Sequence, residues 1–443
     1  MQTHHVLFGM NPLWLATALF VVAYVVIMTE KINRAIVALM GAGLMILSGV
    51  LTQEQALHGV DFNTIGLLMG MMLIVNITQK CGVFQYVAIW SAKKVNARPW
   101  GILVMLSIVT AFFSALLDNV TTVLLIVPVT LLITEQLHVK PYPYLFAQIF
   151  ASNIGGTATL IGDPPNIMIG SAADLTFNDF VLNLTPVVLV IFMVTLIPIY
   201  LIWGRHLQSK PEYEQRVMNF REAEAITDHR LLKQSLTVIT LVIGGFVLHG
   251  KLHLQPATIA LSGAALLLLL DNFGRDAEAQ STNVHDAFSK AEWITLMFFL
   301  GLFILVYGIE ETGLIRMLAD ALLTATKGDY NTTAIAILWS SAVLSAVIDN
   351  IPFVATVIPM IKAMAPTFGG DEALLPLWWC LSLGACLGGN GTLIGASANL
   401  VVAGLSERAG ARIRFVEFIK FAFPLMLVSI ALSHIYIAIR FLD

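Results

Sequence analysis

The chain has 443 residues, of which 58% are hydrophobic and 12% charged, against about 25% charged in an ordinary soluble protein. Lys plus Arg total 24 and Asp plus Glu 28, so the net charge of -4 carries no basic footprint for nucleic acid. This composition excludes a soluble globular enzyme. The three cysteines, Cys81, Cys380 and Cys386, are too few and too irregularly spaced for a disulfide framework or a structural zinc site. What remains is an all-α polytopic membrane protein.

A bilayer core about 30 Å thick needs about 20 mainly apolar residues per helical span. The first stretch, 11–28, is close to full span length and no small-residue cleavage site follows it, so it is expected to stay in the mature protein. Further spans at 35–52, 62–79, 143–170, 180–204, 235–249, 256–271, 291–311, 376–404 and 417–440 make ten. Two longer blocks, 101–134 and 331–365, are each interrupted at the centre by an Asp-Asn pair. Each reads as a re-entrant hairpin that enters the membrane and returns by the same side. With the N-terminus outside, 19 of the 24 Lys and Arg fall on inner segments, Lys31 and Arg34 among them, and only Lys251, Arg316, Lys327, Lys362 and Arg440 fall outside. That bias fits the positive-inside rule and predicts both termini outside (periplasmic), in an inner or plasma membrane. The hairpins then open to opposite sides, and the charged stretch 205–234 reads as a cytoplasmic linker.

The sequence repeats itself. At an offset of 231, Thr64, Gly70, Gly82, Ser114, Asp118, Asn119 and Pro128 fall on Thr295, Gly301, Gly313, Ser345, Asp349, Asn350 and Pro359. At 233, the string TLIG from Thr159 falls on the same string from Thr392, and Asn166 on Asn399. Ala38 and Gly41 likewise match Ala260 and Gly263. The repeats are therefore 1–204, with hairpin 101–134 and a broken helix at 143–170, and 235–443, with hairpin 331–365 and a broken helix at 376–404. Each holds five spans and one hairpin, and an odd number of spans turns the second copy upside down. Inverted repeats are the architecture of secondary transporters, with the site near the midplane where discontinuous helices meet.

Ionisable groups within apolar spans are costly and mark function. Asp118 and Asp349 sit at the hairpin centres, beside Asn119, Thr121 and Thr122 in the first copy and Asn350 in the second. A carboxylate among neutral oxygens suits protons and hard cations. The same pairs can cap the second arm of each hairpin, and the two roles are compatible. The second constellation is NIGGTATLIGDPPN from Asn153 and CLGGNGTLIGASAN from Cys386. Paired glycines and prolines break a helix, and unwound backbone at membrane depth is tolerated only where protein or a wet cavity satisfies it. Gly155, Gly156, Gly388 and Gly389 are expected to admit close backbone approach, while Asn153, Thr157, Asn390 and Thr392 offer side-chain oxygens. Small residues also serve helix packing.

The repeat fails at Asp163, which is matched by Ala396. Asp163 is read as a third intramembrane carboxylate that binds or relays a proton, with ordering of the following Pro-Pro turn as the alternative. Cys386, matched with Asn153, is either a small buried hydrophobe or a thiol for a soft metalloid. His249 and His253 are separated by Gly250 and make a weak metal candidate, so no metal site is expected, and Glu310 and Glu311 are expected to face water.

At these motifs the chain resembles the ArsB/NhaD group of the ion transporter superfamily, which also holds the CitM-type citrate carriers and the divalent-anion/sodium symporters. The likeness is greatest to its P-protein-like branch, in LLDNVTT, NIGGTATLIGDPPN, VIDNIPF and GACLGGNGTLIGASANLV, and it covers nearly the whole chain. It implies a scaffold domain and a transport domain, a site between hairpin tips and unwound helices, and homodimers working by elevator-like movement. The tip positions correspond to Asp118, Asn119, Thr121, Thr122, Asp349 and Asn350, and the unwound positions to Asn153 through Thr157 and Gly388 through Thr392. The symporter branch has Ser-Asn-Thr at the tips. A carboxylate at each tip argues against a multiply anionic substrate, because burying like charges together is expensive.

The expected function is a proton-coupled antiporter exporting arsenite or antimonite, a substrate assignment that rests on the resemblance. A sodium/proton antiporter or an anion transporter of the same fold is the alternative, and a passive ion channel the alternative of another class. An intramembrane protease is disfavoured, because neither Tyr-Asp nor Gly-x-Gly-Asp surrounds Asp118, Asp349 or Asp163. No cofactor is expected, and the coupling ion is the proton, or sodium in its place. The expected partners are a small inorganic substrate, the lipid bilayer and a second copy, with no nucleic acid; association with a cytoplasmic ATPase subunit stays open.

Overall fold

The structure, a computed structural model, describes residues 6, 9–29 and 31–442, and every regular element among them is helical. The first copy contains α1 (Pro12–Met28), α2 (Arg34–Leu47), α3 (Gln53–His58), α4 (Phe62–Gln79) and α5 (Val83–Lys94). It continues through α6 (Pro99–Leu116), α7 (Asn119–Gln136), α8 (Tyr142–Thr157), α9 (Pro164–Ala172) and α10 (Phe177–Ile202), and α11 (Pro211–Met218) follows it. The second copy contains α12 (His229–Leu252), α13 (Pro256–Asn272), α14 (Ala277–Ser289), α15 (Trp293–Glu311) and α16 (Leu314–Ala325). Then come α17 (Tyr330–Val347), α18 (Asn350–Ala363), α19 (Ala365–Phe368), α20 (Leu375–Gly388), α21 (Ser397–Arg408) and α22 (Phe415–Arg440).

Among the described residues nine helices are long and apolar enough to cross a membrane. The arms α6, α7 and α17 are three of these, while α1, α2 and α13, read above as spans, are shorter. Helix α2 has only 14 residues, about 21 Å at 1.5 Å per residue, because Asn33 caps its start and Gly49 turns the chain at φ 78° beyond its end. The last turn of the charged stretch 205–234 is helical: Asp228 accepts the Leu231 N–H at 2.9 Å and starts α12 at His229. Large apolar side chains such as Trp14, Val22, Leu182, Met193 and Ile439 stand exposed on the outer faces, where a bilayer covers them.

Two helix pairs show the inversion. Along α2 and α15 the contacts advance together, from Arg34 near Thr295 through Gly301 on Ala38 to Gly308 on Met45. Along α4 and α13 they also advance together, from Asn63 on Ala257 through Gly70 on Ala260 to Gly263 on Ile74. Helix α4 starts where α2 and α15 end, since Gly59 closes on Tyr307, so α2 and α4 are antiparallel. Helix α13 therefore runs opposite to its own copy α2, and α15 opposite to α4. The repeat-related glycines make both crossings possible: a Cβ on Gly70 would lie 2.6 Å from the Ala260 carbonyl carbon, and one on Gly301 2.5 Å from that of Ala38.

The hairpins pack on the broken helices in the same paired way. Ser114 donates to the Ser152 carbonyl and Ser345 to that of Ala385, both at 2.6 Å. Helix α8 ends at Thr157 and α9 begins at Pro164, leaving 158–163 unwound. Helix α20 ends at Gly388, a 3-10 turn spans Gly389–Gly391, and 392–396 is non-helical up to α21. The two broken helices cross antiparallel, Asn153 reaching Asn390 and Asn399 while Asn166 reaches Ser382. The hairpins alongside them accordingly enter from opposite sides, and both tips reach the breaks in the interior, Asn119 at Asn153 and Asn350 at Asp163.

Candidate functional site

Each tip is a helix restart. Asp118 precedes α7 in extended backbone and takes both donors of Thr121: the backbone N–H reaches Oδ1 at 2.8 Å and the hydroxyl reaches Oδ2. At the second tip the residue three along is Pro352, which has neither an N–H nor a hydroxyl. Asp349 Oδ1 accepts only the Ile351 N–H, at 3.1 Å, and Oδ2 turns to Arg34 Nη1 at 2.7 Å and Ser397 Oγ at 2.9 Å. Arg34 also donates to Ser397 at 2.6 Å and stacks over Phe298 at 5.0 Å.

Between the tips lies a fully buried amide cluster. Asn119 Nδ2 donates to Asn153 Oδ1 at 3.3 Å, and Asn153 Nδ2 donates to Asn390 Oδ1 at 3.0 Å and Asn399 Oδ1 at 2.9 Å. Asn399 closes its break by donating to the Gly389 and Thr392 carbonyls, as Asn166 does to those of Thr157 and Thr159. Cys386 stands where the repeat places Asn153, and its thiol faces Asn166 Oδ1 at 3.5 Å. Asn390 Nδ2 and Thr122 Oγ1 are buried with no partner among the described residues, the condition of groups that meet water or a ligand.

Asp163 occupies the centre. It is 1% exposed, its side chain makes no cap bond to α9, and Asn350 Nδ2 lies 3.5 Å from both carboxylate oxygens. The Asn119 amide and the Cys386 thiol face it as well. Groups from both tips and the opposite break thus converge on one carboxylate, and its side chain does not order the turn that follows it.

The nominated glycines lie in packing contacts. A Cβ on Gly155 would fall 2.2 Å from the Ala111 carbonyl oxygen, and one on Gly388 2.5 Å from that of Ala342. Gly156 and Gly389 press on the carbonyls of Gly162 and Gly395 inside their own breaks. Thr157 and Thr392 likewise donate to backbone, to the Asn153 and Ala346 carbonyls. Arg34, Ser397 and Ser382 are additions that sequence reading missed. In sequence Arg34 reads as one more inner-loop cation, and only its partners in the fold set it apart. No group of three or more His, Cys, Asp or Glu able to hold a metal occurs among the described residues, and Glu310 and Glu311 are exposed.

The sequence profile of the citrate-transporter family (CitMHS) matches residues 24–384. The chain belongs to that family. An uncharacterized transporter of Mycobacterium tuberculosis is 43% identical over 430 residues, covering 96% of this chain and 98% of the relative. The human P protein is 31% identical over 509 residues, covering 96% of this chain and 59% of the P protein. The crystal structure of the Alcanivorax borkumensis YdaH transporter superposes with a TM-score of 0.52 at 16% identity, covering 98% of this chain and 99% of that one, a likeness of fold. This citrate-transporter family member is therefore a multi-pass membrane transporter and not an enzyme.

Proposed function

We propose that this member of the family is a proton-coupled secondary transporter in which Asp163 carries the coupling proton and the amide cluster binds a small solute. The carrying observation is the setting of Asp163: buried between both tips, with amide contacts at 3.5 Å and no counterpart in the second copy, where Ala396 stands. A carboxyl group held this way can lose and regain a proton as water access alternates. Asp118 and Asp349 are the other proton-coupling candidates, and both are engaged as helix caps.

The substrate reading is a small neutral oxyacid, arsenite or antimonite, exported in exchange for protons. It is supported by neutral donors and acceptors on Asn119, Asn153, Asn350 and Asn390 and by Thr122, and its narrower part rests on the sequence resemblance. Sodium/proton exchange is the second reading, favoured by the same carboxylate and amide oxygens, which suit a hard cation. A tricarboxylate such as citrate fits less well. It would bring its charges to three aspartates, and the cation at the tips, Arg34, is already paired with Asp349. The expected movement is an elevator in a homodimer, with α2, α4, α13 and α15 as the fixed body and the hairpins with the broken helices as the moving one. The expected setting is an inner or plasma membrane with both termini outside, and no cofactor.

The test is flux in inverted vesicles under an imposed pH gradient, comparing arsenite, antimonite, sodium and citrate, for the unaltered chain and Asp163→Asn. Coupled flux of one solute, abolished by Asp163→Asn, is the expected result. Flux indifferent to the pH gradient would instead favour a passive channel, and pH-driven flux surviving in Asp163→Asn would remove the assignment.

A further inference from the structure

Two cavities of about 330 and 310 Å³ occupy equivalent places in the two copies. His249, Leu254, Gln255 and Pro256 wall the first, and their repeat mates Ile27, Ile32, Asn33 and Arg34 wall the second. Because the copies are inverted, the cavities open at opposite ends. They differ in one respect. The second cavity extends to the tip of its hairpin, Val347–Asp349, whereas among the described residues lining the first the corresponding tip, Leu116–Asp118, is absent. The first tip touches that same second cavity only through Val120, while Leu117 and Asp118 are buried; the molecule thus stands in one orientation, with Asp349 facing a vestibule and Asp118 shut away from one.

Two polar ties from helices outside the hairpin hold that open tip. Arg34 at the start of α2 grips Asp349 and Ser397. Tyr24 of α1 donates to the Pro352 carbonyl at 2.7 Å and lies 2.8 Å from Thr356 Oγ1. In the second copy the mates of these two residues are Pro256 and Phe246, which have no polar side-chain group. If the copies exchange conformations, as inverted repeats allow, Asp118 and Thr121 would come to Pro256 and Phe246, and neither tie could form.

We infer that Arg34 and Tyr24 are positioning residues that latch the protein in one of its two orientations, through contacts the other orientation cannot reproduce. A contact present in one state only shifts the balance toward it by its full differential worth. Both ties must open in each transport cycle. This rests on the two-body movement proposed above and is independent of the substrate and the coupling ion.

The test uses the full-length protein in lipid nanodiscs, where both ends are accessible, with a reporter cysteine at either tip: Ile348→Cys at the second or its repeat mate Leu117→Cys at the first. The native cysteines are all buried and give a low background. A water-soluble maleimide should label position 348 faster than 117. Arg34→Gln should lower that ratio about tenfold and Tyr24→Phe, which keeps the ring, about threefold, by weakening one state alone. Arg34→Lys should recover part of the Arg34→Gln loss. A purely structural role for Arg34 would alter both rates alike and leave the ratio unmoved. A ratio unchanged by both Arg34→Gln and Tyr24→Phe overturns the latch; if Arg34→Gln does not fold, an unchanged ratio in Tyr24→Phe does so. Equal labelling of the two tips before any further substitution would remove the orientation itself, and with it the movement on which the latch rests.

Discussion

The two hairpin tips share Asp-Asn, an aspartate cap at the helix restart and the same seat on a broken helix, yet they are chemically unlike. At the first, Thr121 supplies an N–H and a hydroxyl, and Asp118 is satisfied within its own turn. At the second, Pro352 supplies neither, so one oxygen of Asp349 turns to Arg34, 315 positions away in the chain. The exchange of Thr121 for Pro352 between copies thus removes the local donors and leaves an oxygen for a long-range tie to Arg34 and Ser397. The lesson is that duplication preserves the scaffold while single positions (Thr121 against Pro352, Pro164 against Ser397, Asp163 against Ala396) make the halves unequal. A transporter of identical halves would repeat every carboxylate; this one holds Asp163 in one half only, opposite Ala396 in the other.

The largest expected effect falls on that asymmetry. Asp163→Asn should lower pH-driven flux by on the order of 100-fold, the scale of losing a positioned proton carrier, with insertion and unfolding temperature little changed. Wild-type flux in this variant would leave the two halves functionally alike. Next come the positions where the copies agree. Gly155→Val and Gly388→Val should each cost about 2 kcal/mol or more through overpacking, read as a lowered thermal midpoint in detergent, because a Cβ at either meets hairpin backbone at 2.5 Å or less. A smaller change should make the tips alike: Pro352→Thr offers Asp349 the donors Asp118 already has, weakens its hold on Arg34, and should lower the tip-labelling ratio about threefold. The smallest effect serves as a contrast with the interior pair. Asp286, bridged by Lys80 at 2.9 Å near the linker, has its carboxyl held below the usual range by that lysine first and Lys290 second. A carboxyl lowered in the folded state adds stability above its unfolded pKa of about 3.9 and loses it as the pH falls through the folded value. Asp286→Asn should cost less than about 1 kcal/mol near neutral pH, measured as a thermal shift that vanishes on acidification.

Much of the architecture was legible because its causes are local. Apolar runs, the Asp-Asn interruptions and the Gly and Pro strings act on their own backbone, and α7 begins at Asn119 because Asp118 caps it. Arg34 was not legible, since nothing in the residues around it distinguishes a loop cation from one that turns inward to a partner hundreds of positions on. The glycine pairs were legible as breaks, but the backbone they admit is that of Ala111 and Ala342. The charged stretch 205–234 overlaps α12, because a single cap, Asp228, outweighs a polar first turn in setting where that helix begins.

By itself the sequence determined that this is an all-helical membrane protein of two related, oppositely oriented halves with paired hairpins and broken helices. Span hydropathy, odd span number and helix breaking are properties of segments. Only the tertiary structure decided that Asp163 lies at the meeting point of both tips, that Asp349 is neutralised and Asp118 is not, and that the glycines pack helices. Those outcomes depend on which groups from the inverted halves come within hydrogen-bonding distance, and the packing of the whole molecule sets that.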